Sequence, residues 1–186
     1  MNKASNTLVI HPKDLTTDCL AVIYEGRGWD VIRDYNTSPQ EVLEAIKSHE
    51  RIIMLGHGTP GGLLAGHDSP YGFTRFHHFI VGAMHAEELK KKQTFSIWCN
   101  SDAFFKKHGI HGLHTGMIIS EEGEEWAVLG RAPLDEEEME VNMELFCGAF
   151  AKYIDLTPEE CREKVLEEYV GDDEVTQFNR ERIIVL

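Results

Sequence analysis

Long apolar runs are missing from this chain. None approaches the about 18 consecutive apolar residues of a membrane-spanning helix, so no such span is expected. The run Leu8-Val9-Ile10 is too short for the core of a secretory signal, and a cytoplasmic location is expected. Cysteine is scarce and dispersed. Cys19, Cys99, Cys147 and Cys161 show neither CxxC nor zinc-ligand spacing, which points to free thiols in a reducing compartment rather than a disulfide framework. Basic residues are also short: 18 Lys and Arg against 32 Asp and Glu, for a formal charge of −14. Residues 1–118 hold 12 acids and 12 bases, whereas 119–186 hold 20 acids and 6 bases. An acidic flank repels phosphate backbones, which sets nucleic-acid partners aside. It would steer basic substrates, or simply form solvated helix faces.

What is present suffices for a core, with 42% hydrophobic and 27% charged residues in a length suited to one domain. Internal repeats, linkers and low-complexity segments are lacking. A single domain over residues 1–186 is expected, with an alternating core at about 7–120 and an acidic helical part at about 121–186. Strands are expected at Leu8–Ile10, Trp29–Ile32, Ile52–Leu55, Phe95–Trp98 and Gly116–Ser120. Helices are expected at Thr17–Glu25, from Ser38-Pro39-Gln40-Glu41 onward, at Met84–Lys92 and around Ala103–Lys107. Ser38 reads as an N-cap with Glu41 closing a capping box. Ile52–Leu55, unbroken and apolar, suits a strand covered on both faces. Two helices follow at about Asp135–Tyr153 and Pro158–Val170, and Ile183–Leu186 reads as a last strand or a docked tail. Strands alternating with helices imply an α/β fold, a doubly wound, mostly parallel sheet with helices on both faces.

In such sheets, sites form beyond the carboxyl ends of the strands. The strand at 52–55 delivers His57 and Gly58, and the strand at 95–98 delivers Cys99 and Asn100. If those strands are neighbours, about 4.8 Å apart, His57 and Cys99 project from one rim within reach of each other. A thiol beside an imidazole is the nucleophile–base pairing of covalent catalysis. Taken singly, Cys99 would read as a buried thiol and His57 as a turn histidine.

The segments Ile52-Ile53-Met54-Leu55-Gly56-His57-Gly58 and Phe95-Ser96-Ile97-Trp98-Cys99 together resemble the caspase-like (clan CD) cysteine peptidases. That superfamily includes caspases, metacaspases, legumains, gingipains, clostripains, separases and CHAT domains. The resemblance covers about residues 7–120. It implies a caspase-like fold and peptide-bond hydrolysis without a cofactor. Cys99 would be the nucleophile and His57 the general base. Gly58 would supply an oxyanion N–H, and Asn100 would stand beside it on the oxyanion and substrate side. A peptide or protein is the implied substrate. Many members carry an acidic residue two positions before the Cys, a small residue just before it and Ser-Gly after it. Here Ile97, Trp98 and Asn100-Ser101 stand there, so no specificity is carried over. That context motivates the alternative of a catalytically inactive interaction domain with the same fold.

Three further features have readings. The glycine-rich stretch Thr59–Thr74, with Asp68, Ser69 and Tyr71, reads as a long loop that closes over the site or shapes a pocket. Gly56-His57-Gly58-Thr59-Pro60-Gly61 fits GxGxxG by letter, but Pro60 removes a donor and no helix clearly follows, so nucleotide binding is not expected. His108, His111 and His114 recur every three residues. On a helix they would share a face and suit zinc, whereas Gly109 and Gly112 argue for a loop. No metal site is assigned, and a metal-binding protein built on these histidines remains the third reading. Cys19, Cys147 and Cys161 read as packing residues.

Overall fold

The structure, a computed structural model, describes residues 6–68, 74–121 and 123–186. In chain order it sets Thr7–Ile10 (β1), a 3-10 helix at Asp18–Ile23, Asp30–Ile32 (β2), Pro39–Ser48 (α1) and Arg51–Leu55 (β3). Gly58–Thr59 (β4), Gly62–Asp68 (β5) and Thr74–Val81 (β6) come next. A 3-10 turn at Ala83–His85 leads into Ala86–Leu89 (α2), Gln93–Ile97 (β7), Ser101–His108 (α3) and Gly112–Thr115 (β8). The acidic third supplies Glu124–Leu129 (α4), Glu136–Tyr153 (α5), Pro158–Glu168 (α6), Glu174–Glu181 (α7) and Ile183–Val185 (β9).

The main sheet runs β2-β1-β3-β7-β8-β9, parallel throughout except for β9, which is antiparallel to β8. The chain is therefore a mixed α/β protein with helices on both faces. Its central strand explains the unbroken apolar run. Ile52 and Met54 pack with Val42 and Ile46 of α1 and with Phe104 and Phe105 of α3. Ile53 and Leu55 face the opposite way, toward Phe146 and Phe150 of α5 and Val165 of α6. All four are fully buried, each contributing about 1.5–3 kcal/mol by leaving water. The N-terminus of α1 is closed by reciprocal Ser38 and Glu41 bonds, and Asp135 with Glu138 and Thr157 with Glu160 do the same for α5 and α6.

Several expectations are corrected. The fifth parallel strand is Gly112–Thr115, not Gly116–Ser120. It carries buried polar residues, His114 and Thr115, so its sequence lacks the apolar signature of a core strand. Ile118 and Ile119 are buried outside the sheet, Ile118 in the core with Phe146 and Ile119 with Met139 and Val175. The Asn179 side chain accepts from the Ile119 N–H at 2.9 Å and donates to its carbonyl at 2.9 Å, standing in for a neighbouring strand. The expected loop 59–74 is instead a three-stranded antiparallel sheet, β4-β5-β6, over its described residues. Register breaks at Leu63–Leu64 and Leu64–Gly66 disrupt the period-two alternation that would have marked it. Its glycines permit close pairing: a Cβ on Gly62 would lie 2.0 Å from the Val81 carbonyl oxygen. Ser69, Tyr71 and Gly72 lie outside the described residues. The segments 17–25 and 84–92 are mainly 3-10 turns and one short helix, and α4 and α7 are additional. Among the described residues no helix is long and apolar enough to cross a membrane.

Candidate active site

β3 and β7 are hydrogen-bonded neighbours in parallel register, with Leu55 opposite Ile97. Two residues beyond that pair on each strand stand His57 and Cys99, which line one narrow cavity of about 40 Å³ together with Thr16, Thr17, Cys19, Trp98, Ile118, Ser120 and Glu124. The two strand ends thus share one cavity, and among the described residues no hydrogen bond joins the His57 and Cys99 side chains. Thr16, Cys19, Ser120 and Met143 line both this cavity and a larger groove of about 530 Å³ whose lining includes Glu121, Glu136, Glu140 and Glu144.

Cys99 is partly buried, and its Sγ donates to the Ile118 carbonyl at 3.6 Å. Burial pushes the thiol above its ordinary pKa, and Glu124 and Glu121 add in the same direction. The resting group is therefore a thiol at neutral pH. Asn100, the next residue, adopts a left-handed conformation (φ 64°) at the start of α3, and its N–H is donated to the Gly116 carbonyl at 3.0 Å. That amide is already occupied.

Gly58 has a different constraint. A Cβ there would lie 2.1 Å from Cδ1 of Trp98, so the indole occupies the space a side chain would need. Its N–H remains turned away from β5. The Leu64 N–H donates to the His57 carbonyl at 2.9 Å, which makes His57 and Leu64 a hydrogen-bonded pair and leaves Gly58 and Leu63 the alternate, unbonded one. Gly58 and Asn100 flank the cavity without lining it.

His57 meets residues that the strand-end argument had not considered. Its Nε2 lies 2.5 Å from the Thr16 hydroxyl and 3.5 Å from Oδ1 of Asp14. Asp14 is 2% exposed and accepts from the Thr16 hydroxyl (2.8 Å), the Thr17 N–H (3.0 Å) and the Thr17 hydroxyl (3.0 Å). Burial alone would raise this carboxyl, but its contacts with His57, Thr16 and Thr17 outweigh burial and hold it at about 2. Burial alone would lower the His57 imidazole. Asp14, with Glu121 and Glu124, more than offsets that and carries it above its ordinary value. Phe76 of β6 packs edge-on against the His57 ring at 5.3 Å, and Asp68 of β5 accepts from the Leu15 N–H at 2.9 Å. The small sheet therefore touches the His57 ring and the segment after β1, while none of its described residues lines the cavity. Asp14 stands four residues beyond the end of β1, as His57 stands two beyond β3. The chain runs from β1 out to β2 and back across to β3, so the crevice between the ends of β1 and β3 is the topological switch point of the sheet.

The histidine series does not converge. His108 lies against Phe104 at the end of α3, His111 is exposed, and His114 is buried on β8 with Nδ1 3.2 Å from the Ser96 hydroxyl. Among the described residues no three His, Cys, Asp or Glu side chains are grouped to hold a metal ion. Cys147 and Cys161 are buried in the core, as their packing reading required, while Cys19, read as a packing residue, is instead exposed at the cavity wall. No family model, curated protein or solved structure matches the chain.

Proposed function

We propose that the chain is a caspase-like cysteine hydrolase of peptide bonds, with Cys99 as nucleophile and His57 as general base and then acid. One observation carries this reading: β3 and β7 lie in register, so that His57 and Cys99 leave one rim at the same level and line one cavity at the switch side of the sheet. The Cys99 proton passes to His57 as Sγ bonds to the peptide carbonyl carbon. The carbonyl oxygen takes up the negative charge, and the Gly58 N–H, directed away from β5, donates to it. Such a preorganised donor is commonly worth about 3–4 kcal/mol at the transition state. Collapse breaks the C–N bond, His57 returns the proton to the leaving amine, and water then hydrolyses the thioester with His57 again acting as base. Because burial holds Cys99 as a thiol at rest, deprotonation accompanies attack rather than preceding it. A peptide would enter along the acidic groove, whose carboxylates favour cationic segments.

The same raised thiol pKa, with Sγ held to the Ile118 carbonyl, favours a second reading: a non-enzymatic docking domain in which Cys99 is a packing thiol. Alkylation rates at each cysteine, followed by peptide mass spectrometry across pH in the wild type and in His57→Ala, separate the two. A His57-dependent phase at Cys99, with cleavage of a peptide library that Cys99→Ala abolishes, supports the hydrolase. Slow labelling at Cys99, matching Cys147 and Cys161 and unchanged by His57→Ala, refutes it.

A further inference from the structure

We infer that Asp14 and Thr16 are positioning residues for His57, forming a relay that keeps the proton on Nε2 and leaves Nδ1 as the atom that exchanges a proton with Cys99. The inference rests on the proposed hydrolase for its last step only. Its first step follows from counting hydrogens. An ionised Asp14 can only accept, and the Thr16 hydroxyl carries one proton. That proton goes to Asp14 Oδ1 at 2.8 Å, so at 2.5 Å from His57 Nε2 the Thr16 oxygen must accept. Nε2 is therefore the protonated nitrogen of neutral His57, and Nδ1 keeps its lone pair. Nδ1 has no hydrogen-bond partner among the described residues.

The relay is rigid at its far end. The Thr17 N–H and hydroxyl both donate to Asp14, so the carboxylate cannot turn away. The Thr17 hydroxyl also lies 3.2 Å from Nε2 of His11, whose Nδ1 is 3.0 Å from the Tyr24 hydroxyl, tying the segment after β1 into the core. The relay bridges the ends of β1 and β3 across the switch point, which fixes His57 relative to the sheet rather than to a loop of its own. The groups facing His57 are Asp14 and Thr16 from the segment after β1, Phe76 from β6, and Glu121 and Glu124 from the segment after β8. Of these, Asp14 and Thr16 alone bind a ring nitrogen, so they select the tautomer while the glutamates add only charge.

Nitrogen-15 NMR of the full chain, labelled in its histidines, tests this across pH in the wild type, Asp14→Asn, Thr16→Val and Thr16→Ser. Neutral His57 is expected in the Nε2–H form. Asp14→Asn should lower the His57 pKa, Thr16→Val should admit the Nδ1–H form, and Thr16→Ser should restore the wild-type spectrum. Thr16 is exposed and Val is close to it in shape, so this arm stays informative if Asp14→Asn does not fold. The His57-dependent part of Cys99 alkylation should fall with the tautomer, by roughly 10²–10⁴-fold if general-base help is lost. An unchanged His57 tautomer in Thr16→Val, or a wild-type ring protonated on Nδ1, overturns the inference whatever the activity. If the tautomer responds while Cys99 labelling never depends on His57, the positioning role stands and the hydrolase reading falls.

Discussion

Gly58→Ala tests two accounts of one glycine. In the first, Gly58 is small so that a substrate can approach the backbone. In the second, the space is already taken by Trp98. An added Cβ would lie 2.1, 2.5 and 2.7 Å from Cδ1, Cγ and Nε1 of the indole. Ordinary carbon contact begins near about 3.5 Å, so the ring or the strand must move by more than 1 Å. The indole has little freedom to do so. It is 2% exposed, is flanked by the Phe104 and Phe105 rings at 6.0 and 5.8 Å, and donates to the Thr59 carbonyl at 3.4 Å. Overpacking of this kind costs about 1–3 kcal/mol, and the upper half of that range is expected here because the obstacle is a fixed ring rather than the end of a flexible chain. For a chain of this size each kcal/mol lowers Tm by about 2–4 °C. Urea unfolding of wild type, Gly58→Ala, Trp98→Leu and the double variant measures the effect and its origin. Trp98→Leu alone should be destabilising through the cavity it leaves, and Gly58→Ala should cost little more in its presence. The single variant should also slow Cys99 alkylation, because Trp98 immediately precedes Cys99. A Gly58→Ala protein within about 0.5 kcal/mol of wild type, a change typical of unconstrained surface sites, would refute the packing account.

Two further outcomes concern stability alone. Burial holds His114 at about 3 and His11 at about 4, far below the ordinary 6.5. Both are neutral in the fold, so the unfolded chain binds more protons below pH 6.5 and stability must fall with acid, by about 1.4 kcal/mol per pH unit for each histidine, until the folded group itself titrates. His57, raised in the fold, acts in the opposite sense: its contribution is complete below 6.5 and is lost as pH rises through its folded pKa. Urea midpoints between pH 4 and 6.5 should therefore show a shallower slope in His114→Leu, and an unchanged slope would contradict the burial. Asn179→Ala should cost about 2–4 kcal/mol, since it leaves the buried Ile119 N–H and carbonyl unpaired; a thermal melt close to wild type would show that these groups find other partners.

Local chemistry made much of the fold legible. The capping box of α1 could be read because it is written within four consecutive residues, and β3 because four apolar residues in a row have few structural alternatives. The site was half legible by the same reasoning: two strand ends, His57 and Cys99, could be matched once the strands were placed. Asp14 and Thr16 follow a third strand end, yet an Asp and a Thr in a polar segment carry no periodic signal, and only the contact with His57 marks them out. β8 escaped because its buried His114 and Thr115 violate the apolar rule, and the β5–β6 hairpin because its register breaks erase alternation.

By itself, then, the order of residues determined which segments could be strands or helices and which thiol and imidazole stood at strand ends, since those properties depend on near neighbours. Which strands lie side by side, which nitrogen of His57 is engaged, why Gly58 has no side chain and whether Cys99 rests as a thiol were decided only by tertiary packing. The reason is physical. Register, hydrogen-bond partners and desolvation are set by residues 41 positions away, as Thr16 is from His57, or 60, as Ile119 is from Asn179, and no local pattern records what the chain brings together at that distance.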